Sequence, residues 1–139
     1  MRSRILVGAL AVMAVLASGV LAASDAGGSP TRQWTAVFFA QPTIIARRAV
    51  QGSVMIVHDD QLMTSGGACT SVYRFDPATG PKELIVSFMC RPEKAEVVNK
   101  FTATCIRDGG NLQILTAYQF PGDVEAHGVP ASVYETAGN

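Results

Sequence analysis

The stretch GACTSVYRFDPATGPKELIVSFMC, residues 67–90, decides the fold class, because its local geometry follows almost residue by residue. Asp76-Pro77-Ala78-Thr79-Gly80-Pro81 concentrates turn formers: proline presets φ and glycine admits positive φ. The flanking runs, Cys69 to Phe75 and Glu83 to Cys90, are rich in β-branched and aromatic residues and read as the strands of a hairpin. Folding about the turn pairs Phe75 with Leu84, Tyr73 with Val86, Ser71 with Phe88 and Cys69 with Cys90. That face becomes almost wholly apolar, while Thr70, Val72, Arg74, Ile85, Ser87 and Met89 form a mixed, partly wet face.

The same punctuation recurs on both sides. Arg32 to Ala40 reads as a strand, with Trp34, Ala36 and Phe38 on one face and Thr35, Val37 and Phe39 on the other. Pro42 is expected to break it, and Thr43 to Arg47 and Ser53 to His58 follow as strands around a turn at residues 48–52, closed by Gly52. Gln61 to Ala68 reads as a loop or one short turn. After the central hairpin, Arg91 to Val98 is suited to one or two helical turns, with Pro92 at a first helical position. Lys100 to Arg107 and Leu112 to Phe120 form a second hairpin about Gly109-Gly110, which sets Cys105 opposite Ile114 on an apolar face. Residues 121–130 read as an irregular segment before a short strand from Ala131 to Thr136. About seven short strands between Gly, Pro and Asp turns predict an all-β domain, a small antiparallel β-sandwich or barrel, with a strand-rich α+β fold as the alternative.

The first residues do not belong to that domain. Arg2 and Arg4 precede an apolar run over residues 5–16, and Val20-Leu21-Ala22 ends in small residues, the pattern of a secretory signal peptide cleaved after Ala22. Residues 23–31 follow as a flexible, glycine-rich leader, and residues 32–139 as one domain. Loss of Arg2 and Arg4 leaves nine basic residues against eleven acidic ones, a net charge of −2, so a phosphate-rich partner such as nucleic acid is not expected. The processed chain is expected in the periplasm or the medium, released from the membrane.

Three cysteines survive cleavage into an oxidising compartment, and the hairpin pairs two of them. A non-hydrogen-bonded antiparallel pair has Cα atoms about 4.5 Å apart, inside the range of about 4.4 to 6.8 Å that a disulfide accepts. Cys69–Cys90 is therefore the expected bridge and Cys105 the free thiol, with Cys69–Cys105 and Cys90–Cys105 as alternatives. Two further groupings bear chemistry. His58, Cys69, Cys90 and His127 together offer two imidazoles and two thiolates, a set suited to copper or zinc, although they lie singly over seventy positions. Asp123, Glu125 and His127 alternate, so an extended backbone points all three one way, an acidic loop site for a divalent ion or acid–base work. The plain counterparts are two surface histidines hydrogen-bonding to loops and a solvated loop face. The G-x-S-x-G, phosphate-loop and H-E-x-x-H patterns are absent. The chain thus reads as an exported, non-catalytic binding module for a protein or surface polymer, or alternatively as a periplasmic metal- or redox-handling protein using His58, His127 and the cysteines.

Overall fold

The computed structural model describes residues 32–131. The expected signal peptide and leader, and all but the first residue of the expected last strand, lie outside them. In chain order the described residues form β1 (Arg32–Ile45), β2 (Arg48–Asp59), α1 (Asp60–Thr64), β3 (Thr70–Asp76), β4 (Gly80–Phe88), β5 (Arg91–Lys94), β6 (Thr102–Arg107), β7 (Gln113–Gln119) and β8 (Glu125–Gly128). The fold is all-β. Its arrangement is one mixed sheet in the order β4-β3-β2-β1-β7-β8-β5, with β6 pairing β7 off that path, in place of the antiparallel sandwich or barrel. The parallel pairing of β1 with β7, Thr43 with Gln113 and Ile44 with Ile114, joins the two halves of the chain.

Pro42 bends β1 and does not break it. Three residues, Ala40, Gln41 and Pro42, bulge opposite Gln51 between the pairs Phe39–Gly52 and Thr43–Val50. A proline fits there because the bulge asks no ladder N–H of it, and Gln51 Nε2 donates to Ala40 O across the gap (3.1 Å). The turn lies at Ala46-Arg47, both at positive φ (45° and 71°), where a two-residue loop matches the twist of the strands. Phe39 and Thr43 are four positions apart, an even step, so Thr35, Val37, Phe39, Thr43 and Ile45 all point inward. Val37 and Phe39 are therefore core, and Phe38, on the other face of the strand, is 47% exposed.

The central hairpin forms with its register slipped by one residue. Thr70 pairs with Phe88, Ser71 with Ser87 and Val72 with Val86. Thr70 and Val72 are buried, while Leu84 is 52% exposed and Tyr73 and Phe75 are half-buried. The neighbour on the other side decides this: β2 presents Ile56 and His58 inward opposite Val72 and Thr70, and a sheet has one inner face. On the outer face the Ser71 and Ser87 hydroxyls hydrogen-bond at 2.9 Å.

The second hairpin is also shifted. Cys105 pairs with Leu115, Ile106 with Ile114 and Arg107 with Gln113, so the loop runs over residues 108–112. The expected helix after Cys90 is the edge strand β5, which pairs Pro92 with His127 of β8. A helix of eight residues is marginal alone, whereas an open sheet edge offers immediate hydrogen bonds. Gly128 admits this approach, since a Cβ there would lie 2.6 Å from Glu93 Oε1 and 3.2 Å from Arg91 O.

One apolar cluster draws on β1, β2, β3, β4, β6 and β7, including Phe39, Ile56, Val72, Phe88 and Leu115, so the sheet curls over its own inner face. Burial of each such side chain contributes about 1.5–3 kcal/mol. Cys69, Cys90 and Cys105 all belong to this cluster.

Candidate metal centre

At one end of the core the apolar lining gives way to polar side chains. His58 arrives there by strand alternation, because Val54, Ile56 and His58 take successive inward positions of β2 and all are 0% exposed. Beyond it the chain turns at once. Asp59 caps α1 by accepting from the N–H groups of Gln61 (2.9 Å) and Leu62 (3.2 Å), and its own N–H donates to Cys69 O (2.9 Å). The turn sets Asp60 Oδ1 2.8 Å from His58 Nε2. When Nε2 donates to that carboxylate, Nδ1 is the nitrogen left to offer a lone pair inward.

Cys69 and Cys90 meet where β3 begins and β4 has ended. They stand at disulfide distance, with Cα atoms 6.2 Å apart, and the Cys90 N–H donates to Cys69 Sγ at 2.9 Å. Cys105 takes no part in the pair: it is buried and free, and burial raises its pKa, the signature of an unreactive core thiol.

His127 comes from β8, opposite Tyr118 of β7 on one side and Pro92 of β5 on the other. It is 4% exposed and lies in a strand, which corrects both the loop placement and the surface-histidine reading. Its ring packs against that of His58, centroids 4.0 Å apart, and against Tyr118 at 5.0 Å. Cys90 Sγ lies 3.7 Å from Nδ1 of His58 and 3.7 Å from Nδ1 of His127. The donor atoms of His58, Cys69 and Cys90 are all within 4.8 Å of one another; His127 reaches that set through Cys90. Metal bonds of about 2.3 Å to sulfur and about 2.0–2.1 Å to nitrogen give a tetrahedral edge of about 3.5 Å, close to both sulfur–nitrogen separations.

Electrostatics favour neutral imidazole here. Burial, and then the neighbouring His58, pull the His127 pKa down to about 4, so at neutral pH the ring keeps a lone pair. Tyr118, 1% exposed, has its phenol pKa raised by burial; its hydroxyl hydrogen-bonds Thr70 and lies 3.3 Å from His58 Nδ1. Tyr118 and Thr70 went unnoticed in the sequence as parts of a site. Their places on the buried faces of β7 and β3 are legible only once the register is known.

No protein-family profile, curated protein or solved structure matches this chain.

The chemistry therefore rests on geometry. With the bridge closed, the centre is a buried disulfide flanked by two imidazoles. With it open, two thiolates and one His58 nitrogen lie within 4.8 Å of one another and His127 Nδ1 stands 3.7 Å from Cys90 Sγ, donor types suited to Zn²⁺ or Cu⁺. His58, held by Asp60 through the nitrogen that faces away, has the carboxylate–histidine arrangement that orients metal ligands. Asp123 and Glu125 do not enter this centre. They border a cleft on its outer side, together with Gln33, Asp60 and His127.

Proposed function

We propose that this chain is an exported metal-handling protein that holds one soft or borderline ion, Cu⁺ or Zn²⁺, between His58, Cys69, Cys90 and His127 when the thiols are reduced. The supporting observation is the position of Cys90 Sγ, 3.7 Å from both Nδ1 atoms and at disulfide distance from Cys69. Opening the bridge takes two electrons and two protons from a dithiol reductant and yields two thiols, which lose their protons as the ion binds. Reclosure passes the two electrons to an oxidising disulfide partner and leaves no thiolate for the ion. Export rests on the basic Arg2 and Arg4 and the apolar run behind them, and predicts a mature chain beginning at Ala23.

The test is metal analysis with thiol counting in denaturant. Oxidised protein counted in denaturant should show one thiol, Cys105, while reduced protein should retain one Zn²⁺ or Cu⁺ through gel filtration, an ion that slows the reaction of Cys69 and Cys90 in native buffer until a chelator removes it. Reduced protein with three reactive thiols and no retained ion would sink the proposal. An interaction module for a protein or surface polymer ranks second. Phe38 and Leu84 are 47% and 52% exposed, but they lie on different strands.

A further inference from the structure

The cleft beside the centre has its own unexplained atom. His127 Nε2 is buried and has no hydrogen-bond partner, in a side chain 4% exposed. A buried nitrogen left so loses its hydration without a partner in return. It borders a cleft of about 130 Å³ whose lining carries three carboxylates, those of Asp60, Asp123 and Glu125, and no Lys or Arg among the described residues. Asp123 Oδ2 lies 3.8 Å from His127 Nε2, too far for a good hydrogen bond but close to the edge of about 3.4 Å that two ligands of a cation subtend with bonds of about 2.0–2.1 Å.

The carboxylate is held in that pose. Gln33 Nε2 donates to Asp123 Oδ1 at 3.2 Å, which turns Oδ2 toward the histidine. The backbone beneath is fixed as well, because Gln119 Nε2 donates to Asp123 O at 2.9 Å and the Asp123 N–H donates to Phe120 O at 3.3 Å. Burial, then Asp60 and Glu125, raise the Asp123 pKa, the response of a carboxylate placed among like charges.

We propose that Asp123, Glu125 and Nε2 of His127 form a second, outer cation site, which receives a hydrated divalent ion and hands it to the thiols. The site stands on the cleft alone; the hand-off rests on the inner centre proposed above. A neutral imidazole has one lone pair. An ion in the cleft takes the lone pair at Nε2 and leaves the proton on Nδ1, facing Cys90. An ion in the inner centre takes Nδ1 and leaves the proton on Nε2, facing Asp123. The two sites cannot both use neutral His127, so they fill in sequence, and the ring's tautomer reports which one is filled.

Co²⁺ is the probe, used first on oxidised wild-type protein, in which the Cys69–Cys90 bridge removes the inner thiolates. One equivalent should bind without sulfur-to-metal charge-transfer absorption and broaden the His127 ring resonances selectively. Asp123→Asn, which keeps the acceptor for Gln33, should weaken this binding at least tenfold, and Glu125→Gln, at an exposed position, severalfold. Absence of selective broadening at millimolar Co²⁺, or wild-type affinity in both variants, overturns the outer site. On reduced protein the charge-transfer band should appear, more slowly in Asp123→Asn but to the same final height. Equal rates overturn the hand-off. A band that never appears overturns the inner centre while the oxidised-protein result keeps the outer site.

Discussion

The imidazole rings of His58 and His127 lie 4.0 Å apart, centroid to centroid, at 33°, although 69 positions separate them in the chain. Two rings so close, buried at 0% and 4% exposure, cannot both carry charge cheaply. His127, whose pKa is pulled down by burial and then by His58, is the ring that keeps its lone pair.

The first prediction concerns acid. The His127 pKa falls from 6.5 to about 4 on folding, through burial and then the nearby His58. Between those values the unfolded chain binds more protons than the folded one, so stability is full above about pH 6.5 and is lost as pH falls toward 4. The metal-free protein should lose on the order of 2 kcal/mol over that window, measured by urea unfolding. His127→Gln should flatten the curve there; an unchanged slope in that variant would assign the effect to other groups.

A second prediction links redox state to stability. Opening the Cys69–Cys90 bridge should cost about 3 kcal/mol on the chain-entropy view, for a loop closed over 21 positions. Zn²⁺ at a hundredfold excess over its dissociation constant should return about 2.7 kcal/mol to the reduced protein. Thermal unfolding in the three states gives the order oxidised, reduced with metal, reduced alone. No gain from Zn²⁺ in the reduced state would count against the inner centre.

Tyr118 and Thr70 supply a third. Tyr118→Phe removes the hydroxyl that bonds Thr70 and approaches His58, leaving a buried partner unpaired, at a cost of about 1–2 kcal/mol. Thr70→Val should cost a similar amount, and the double variant less than the sum, because the second change removes the stranded partner. Strict additivity in a double-mutant cycle would mean that the hydroxyl pair contributes nothing jointly.

The register of the central hairpin gives the fourth. Val72 is 0% exposed and pairs with Val86, whereas Leu84 is 52% exposed. Val72→Ala should cost about 2 kcal/mol and Leu84→Ala less than about 0.5 kcal/mol. The opposite ranking would restore the register in which Leu84 faces the core.

The strands themselves were legible because turn chemistry and β-branched runs act locally. Asp76-Pro77 and Gly80 mark one turn, and the apolar run Val54 to Val57 reads as a strand that ends at His58, although nothing in that run says which way the imidazole points. Even the meeting of Cys69 and Cys90 follows from a short hairpin. What local signals misjudged were positions where a neighbour chooses between two allowed answers. Pro42 breaks an isolated strand but sits easily in a bulge, and the slip of β3 against β4 is set by β2.

The sequence by itself determined an all-β chain, a hairpin that gathers two cysteines, and a histidine at the end of a strand. Only the tertiary structure decided that His127 is buried beside that histidine. The four residues of β8, Glu125–Gly128, have no strand signal of their own, nor have the four of β5. β8 becomes a strand on the edge that β7 offers beyond its contact with β1, and β5 on the next edge, that of β8; the β7 edge is positioned by the parallel contact of β1 with β7 across seventy residues of chain. Hydrogen bonds between distant segments carry no local pattern, so the second imidazole of the centre came into view only with the assembled sheet.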